Sequence, residues 1–271
     1  MTHQDEPDRE QFVRDWVSWR VRRAEKLREP HGWLSVTALH WLTGELRPYW
    51  GVPGWWNGRP AGVTVHAAPE DGLVLHGRPV RGTVVIEVAD GAPSAWATHG
   101  DKAIEILQRS SRYALRIRDP HAATRTWFAG VPAYDPRPEW VVAGSFHPYE
   151  QPRPVVLGSV VPGITHRQLA VGVVRFAIDG EDYALTAFGC ADGRLWVPFR
   201  DATSGVTTFA AARSLTVAAP GPDGHLVLDF NRAMNPPAAF TDYATCAVPP
   251  PENTLPIAVE AGERTPLRPG R

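Results

Sequence analysis

Lysine is almost missing from this 271-residue chain: Lys26 and Lys102 are the only two among 28 basic residues. A GC-rich genome produces such a bias toward arginine. Cysteine is equally scarce, with only Cys190 and Cys246. That excludes a disulfide-stapled scaffold, and without a CxxC or a Cys/His cluster no structural zinc site is expected. Charge of either sign is not in excess: 29 acids leave a formal net charge of -1. A nucleic-acid binder would carry a basic footprint. Long apolar runs are lacking too, far short of the ~20 residues that span a bilayer. The acidic, polar start differs from the basic-then-apolar pattern of a secretory leader. The expectation is a cytoplasmic protein with neither nucleic-acid nor membrane partners. Catalytic signatures are absent as well. There is no GxSxG elbow, GxGxxG loop, Walker loop or HExxH, so serine-hydrolase, dinucleotide, P-loop and zinc-protease readings lose their motifs.

Proline (27) and glycine (24) are abundant. Together they make about 19% of the chain, against a usual figure of roughly 12%. Backbone breakers that dense exclude a helix bundle, while 43% hydrophobic residues still argue for a folded core. Seven of the 11 tryptophans fall in the first 56 residues. Because each buries a large area, this end is expected to dock on the body.

Residues 7–28 predict an amphipathic helix. Phe12, Val13, Trp16, Val17, Val21, Ala24 and Leu27 form its apolar stripe, and arginines with interspersed acids form the other face. Pro30 ends it. Leu34, Ala38, Leu39, Trp41 and Leu42 suggest a second short helix over 35–42. Beyond Gly44 the period drops toward two. Strands are expected at 61–67, 72–76, 79–89, 102–108, 112–118, 140–147, 171–178, 183–188, 195–199, 215–218 and 226–230. A Ser110-Ser111 turn, Asp179-Gly180 and Asp192-Gly193 punctuate them. Two segments result: a helical one (1–43) and a β domain with a proline-rich C-terminal loop (44–271). The fold class is mainly β, an antiparallel, partly closed barrel or sandwich with the N-terminal helix packed against it.

The densest polar cluster lies in the last third. Arg200, Asp201, Thr203 and Ser204 follow a hydrophobic strand, Arg213 comes soon after, and Asp229, Asn231 and Asn235 close another strand. Such a set can hold a polar ligand, with Arg200 or Arg213 as anion clamp and Asp201 or Asp229 as acid/base. It can equally knit two loops together, with Asp201–Arg213 as a structural ion pair. His147 is a candidate general base. His40 and the neighbouring Trp41 complete the catalytic and substrate-binding candidates. His66 and His76 could approach across a hairpin, but no third ligand is visible, and no metal or cofactor is expected.

Three stretches resemble a bacterial family known chiefly as a domain of unknown function. They are HGWLSVTALHWL at 31–42, FRDATSG at 199–205, and LDFNRAMNPP at 228–237 followed by CAVPPPENTLP at 246–256. The resemblance covers roughly 10–263 and implies little about activity. Family members often carry a cysteine where Ala238 stands, so Cys246 lacks that partner here. They also often carry aromatics at the positions of His40 and Met234, and Tyr at that of Phe209.

Three functions follow from these readings. The first is a cofactor-independent acid/base enzyme acting on a small organic molecule in a β-barrel or sandwich cavity, by hydrolysis, dehydration, isomerisation or cyclisation. The second is a non-catalytic small-molecule-binding protein using the same cavity. The third is an interaction module, a homodimer included, built on the tryptophan-rich N-terminus.

Overall fold

The computed structural model describes residues 5–91 and 94–267. The ends of the two expected segments, 1–4 and 268–271, lie outside them. Helix α1 runs over Asp5–Leu27. The apolar stripe is rotated from its expected position: Val13, Val17 and Val21 are exposed, while Phe12, Trp16, Trp19, Arg20 and Arg23 are half-buried and Leu27 is buried. The arginines win places on the docked face because bare carbonyls wait there. Arg20 donates to Val131 O, Arg23 to Asn235 O at 3.1 Å, and Trp16 Nε1 to Asn231 O at 3.1 Å. Helical spacing alone cannot reveal such acceptors.

The expected second helix is instead a 3-10 turn, Trp33–Ser35, followed by strand β1 (Val36–Trp41). Val36 and Thr37 are β-branched and favour extended backbone. Val36 and Ala38 alternate inward, and the strand pairs antiparallel with residues 114–118. The segment 1–43 therefore contributes a helix and a sheet strand.

Two β lobes follow. In the first are β2 (Arg47–Tyr49), β3 (Val52–Arg59), β4 (Gly62–Ala67), β5 (Leu73–Leu75), β6 (Arg78–Pro79), β7 (Gly82–Ile86), β8 (Ala95–His99), β9 (Lys102–Arg109) and β10 (Arg112–Arg118). They form sheets ordered β1-β10-β9-β8-β5-β6 and β2-β3-β4-β7. Trp56, Val63, Val65, Leu73, Ile104, Ile106, Leu115 and Ile117 make one core from both sheets. His66 lies opposite Thr83 and Trp55 in the register and bonds the Thr83 hydroxyl at 2.9 Å.

In the second lobe are β11 (Val141–Gly158), β12 (Thr165–Ile178), β13 (Glu181–Gly189), β14 (Leu195–Phe199), β15 (Arg213–Val217) and β16 (His225–Asp229), ordered β15-β14-β13-β12-β11-β16. The terminal strands β15 and β16 come close, so the sheet curls into a half-barrel. Period-two alternation puts Ala170, Gly172, Val174 and Phe176 inside. Leu185, Val197, Phe199, Leu215, Leu228 and Phe230 meet Val174 and Phe176, while Ala170 packs with Leu157 and Phe188. Gly172 is obligatory, because a Cβ there would stand 2.4 Å from His147 O. Asp179 and Gly180 take φ of 52° and 82° in the tight turn joining β12 to β13, a backbone whose twist matches that of the strands. Strands β11 and β12 outrun expectation because β11 absorbs Pro148, Pro152 and Pro154, with a register shift between Pro148 and Arg153.

The proline-rich stretch after Asp229 is the lobe's lining. Asn253, fully buried, accepts from Thr186 N at 2.8 Å and donates to Thr186 O and Pro198 O at 2.9 and 2.7 Å. One side chain thus replaces a missing strand partner. Mainly β, antiparallel, half-closed and with one packed helix, the architecture is the one expected. No helix among the described residues is long and apolar enough to cross a membrane.

Candidate functional site

The Asp201 cluster resolves into a buried knot. Asp201 and Arg213 pair at 3.2 Å, and neither side chain has any exposed surface. The carboxylate also accepts from Thr203 Oγ1 at 2.9 Å, Ser204 Oγ at 3.0 Å and Val259 N at 2.8 Å. Arg213 donates to Val259 O at 2.9 Å and to Ala261 O. Burial holds the Arg213 pKa below its ordinary value, with Asp201 pulling it back. Asp201 thus braces its own turn through Thr203 and Ser204 and ties it to β15 through Arg213 and to the C-terminal loop through Val259.

The remaining sequence candidates are dispersed. Asp229 caps Asn231 N at 3.1 Å and pairs with Arg232 at 3.0 Å. Asn231 brackets Arg137, accepting from its N and donating to its O, each at 2.9 Å. Asn235 donates to Arg264 O at 2.8 Å, and its N donates to buried Glu263 at 2.7 Å. Arg200 is exposed and donates to Ala210 O. His147 is exposed and meets the Ser145 hydroxyl at 3.0 Å. His40 Nε2 meets Trp50 O at 2.9 Å, and Arg112 stacks over Trp41 at 4.2 Å.

Of all these, Arg213 and Asn235 border a cleft of about 1100 Å³ between the lobes. From the first lobe, Trp33, Glu105, Arg109 and Arg116 line it, with Asp90, Ser110 and Ser111 at the rim. The second lobe contributes Thr165, His166, Arg167 and Trp196. Its floor is the proline-rich stretch: Met234, Asn235, Pro236 and Pro237, then Thr245 and Cys246. The predicted Ser110-Ser111 turn builds the rim. Both serines have positive φ, their N–H groups donate to Asp90 at 2.9 and 2.8 Å, and the Ser110 hydroxyl accepts from Thr165 N at 2.8 Å across the lobes.

Glu105 and Arg116 face each other in the β9–β10 register. Arg116 Nη1 reaches both carboxylate oxygens, at 3.0 and 2.9 Å, and Arg118 Nη2 adds a contact at 2.8 Å. Arg116 and Arg118 are only 1% and 6% exposed. Trp33 covers them, with their guanidinium carbons 5.0 and 4.6 Å from its ring centre. Burial opposes ionisation of Glu105, but Arg116 and Arg118 outweigh it and hold the pKa below the usual value. Burial also lowers Arg116, with Glu105 pulling the other way and Arg118 and Arg109 adding repulsion. The cross-strand Glu/Arg pairing was the available signal, and it needs the register to be read.

Two further groups matter. His166 is shifted below its ordinary pKa, first by burial and then by Arg109, against a hydrogen bond to the Thr245 backbone and the attraction of Asp90. Its buried Nε2 has no hydrogen-bond partner among the described residues. Neutral imidazole with one free nitrogen can accept or return a proton. Cys246 is pushed up to about 11 by burial, so its thiol stays protonated and is a poor nucleophile. Among the described residues no group of three His, Cys, Asp or Glu could hold a metal ion.

A family model described as "Protein of unknown function (DUF1684)" matches residues 126–264. That span takes in the 199–205 and 228–256 motifs, His166 and Cys246; the 31–42 motif and the first-lobe wall lie outside it. No curated protein matches the chain. A solution NMR structure of an uncharacterised protein from Haloarcula marismortui is 35% identical, with a TM-score of 0.44, over 52% of this chain and 80% of that one.

Proposed function

The chain belongs to the DUF1684 family, and from that premise we propose that it is a cytoplasmic, cofactor-independent acid/base enzyme acting on a small organic molecule in the inter-lobe cleft. His166 is the proton-transfer group. The observation that carries this reading is its position: a ring held below its ordinary pKa, with an unpartnered Nε2, on the wall of a cleft large enough for a metabolite. Arg116 and Arg109 supply positive charge on the opposite lobe, where it would stabilise negative charge developing on the substrate. The chemistry is of the class that needs proton transfer alone: hydrolysis by activated water, dehydration, isomerisation or cyclisation. Asp201 and Arg213 serve this site by fixing its floor.

Non-catalytic binding is the second reading. It is favoured by Asp90, the carboxylate that attracts His166, being occupied by two backbone N–H groups and so poorly placed to relay a proton.

A thermal-shift screen against a metabolite library tests the proposal, because a ligand of the folded state raises Tm by mass action. Hits are then assayed for turnover by the wild type and by His166→Asn. The expected result is a hit whose kcat falls by about 10²–10⁴ in the variant while its thermal shift is kept. Full turnover by His166→Asn would overturn the proposal. Hits that bind in the cleft and are never turned over would establish the second reading.

A further inference from the structure

The cleft has a charge imbalance that its own salt bridges do not cancel. Arg23 is paired with Glu263 at 2.9 Å and Arg213 with Asp201. Along the cleft there remain Arg109, Arg116 and Arg167, against Asp90 and Glu105, and Glu105 is shared with Arg118 behind the wall. Glu105 answers two guanidinium groups with one carboxylate. Among the described residues neither Arg109 nor Arg167 has a carboxylate partner. Arg116 is 1% exposed, and although Nη1 holds Glu105 and Nε donates to Tyr243 O at 3.0 Å, its Nη2 has no hydrogen-bond partner among the described residues. A buried cationic donor left unmatched is costly. An oxyanion at the wall would answer that charge, and would do so more strongly in a half-enclosed cleft than in water.

From these observations we infer that the molecule bound in the cleft is an organic oxyanion, a carboxylate or phosphate. Its charged group sits at a subsite formed by Arg109, Arg116 and Arg167, and its planar or apolar body lies between Trp33 and Trp196. This inference rests on the cleft being the substrate site. It adds the chemical class that the site selects. Arg116 is the buried anchor, held in place by Glu105 and Trp33. Arg109 and Arg167, which come from opposite lobes, close on the same anion, so binding draws the two walls together electrostatically.

The test uses the full chain and four probes at constant ionic strength: benzoate, phenyl phosphate, inorganic phosphate, and the neutral benzamide. The ¹⁵N-indole signals of Trp33 and Trp196, assigned with Trp33→Phe and Trp196→Phe, report on the two walls. Benzoate or phenyl phosphate is expected to move both signals and to bind at least tenfold more tightly than benzamide; which of the two binds better tells a carboxylate site from a phosphate site. Inorganic phosphate, lacking the planar body, is expected to bind more weakly than phenyl phosphate. Arg116→Gln leaves Glu105 with one partner and risks the fold. Arg109→Gln and Arg167→Gln therefore carry the test, each expected to weaken the organic anion at least fivefold. Equal binding of benzamide, or undiminished anion binding in both variants, would overturn the inference. A neutral library hit turned over through His166 would also refute it while leaving the enzyme reading intact. Anion binding that persists while no library hit is turned over would support it and sink the catalytic reading.

Discussion

Replacing Asp201 by Asn should cost stability rather than chemistry. The carboxylate is wholly buried and accepts from Arg213, Thr203, Ser204 and Val259 N. In the amide, one oxygen becomes a donor facing other donors, and Arg213 keeps its charge with backbone carbonyls and the Thr203 hydroxyl as its partners and no carboxylate. Breaking a buried ion pair by removing one member costs about 3–5 kcal/mol, because the survivor is left uncompensated. For a chain of this size that is a fall in Tm of about 6–20 °C. The assay is thermal and urea unfolding of Asp201→Asn beside the wild type, with turnover normalised to folded protein. Destabilisation with near-normal activity per folded molecule is expected. A loss of stability below about 1 kcal/mol would refute the knot argument. A selective loss of kcat would return Asp201 to the catalytic role that its sequence context suggested.

Three other outcomes follow from the same geometry. Asn253→Ala removes three buried bonds to Thr186 and Pro198 and is expected to destabilise by about 3 kcal/mol, read from urea midpoints. Cys246 should react with iodoacetamide far more slowly than a free thiol at pH 7, and its rate should climb until the pH nears 11; fast labelling at neutral pH would show it unburied. Because His166 has a folded pKa below its unfolded value, the unfolded chain binds the extra proton. Its contribution to stability is therefore complete above about pH 6.5 and is lost as pH falls toward the folded pKa. Unfolding curves of the wild type and His166→Asn between pH 5 and 8 should diverge at the acidic end, and parallel curves would contradict the assigned shift.

Much of the fold was readable where strands alternate cleanly. Arg112–Arg118, Leu195–Phe199 and the Asp179-Gly180 hairpin all stand where period and turn chemistry put them. Segments failed where tertiary context overrode the local signal. Val36–Trp41 contains good helix formers yet is captured by β10, and prolines that locally forbid a strand are tolerated at the register shift of β11. For the site, the floor was legible, since the proline-rich motif carries Asn235 and runs on to Cys246. The walls were not. Glu105 and Arg116 become partners only through antiparallel register, His166 stands in a strand extension beyond the expected 171–178, and Trp33 joins them from a 3-10 turn. In the most polar cluster of the sequence, Asp201, Thr203 and Arg213 are buried and bonded to one another.

The proposed ligand lies between the two lobes. Heteronuclear NMR of the best library hit tests it most directly. The indole N–H signals of Trp33 and Trp196, from opposite lobes, should shift together along one saturation curve, while those of Trp41 and Trp50 stay still. Saturable binding that leaves Trp33 and Trp196 unmoved would place the site elsewhere and contradict the account.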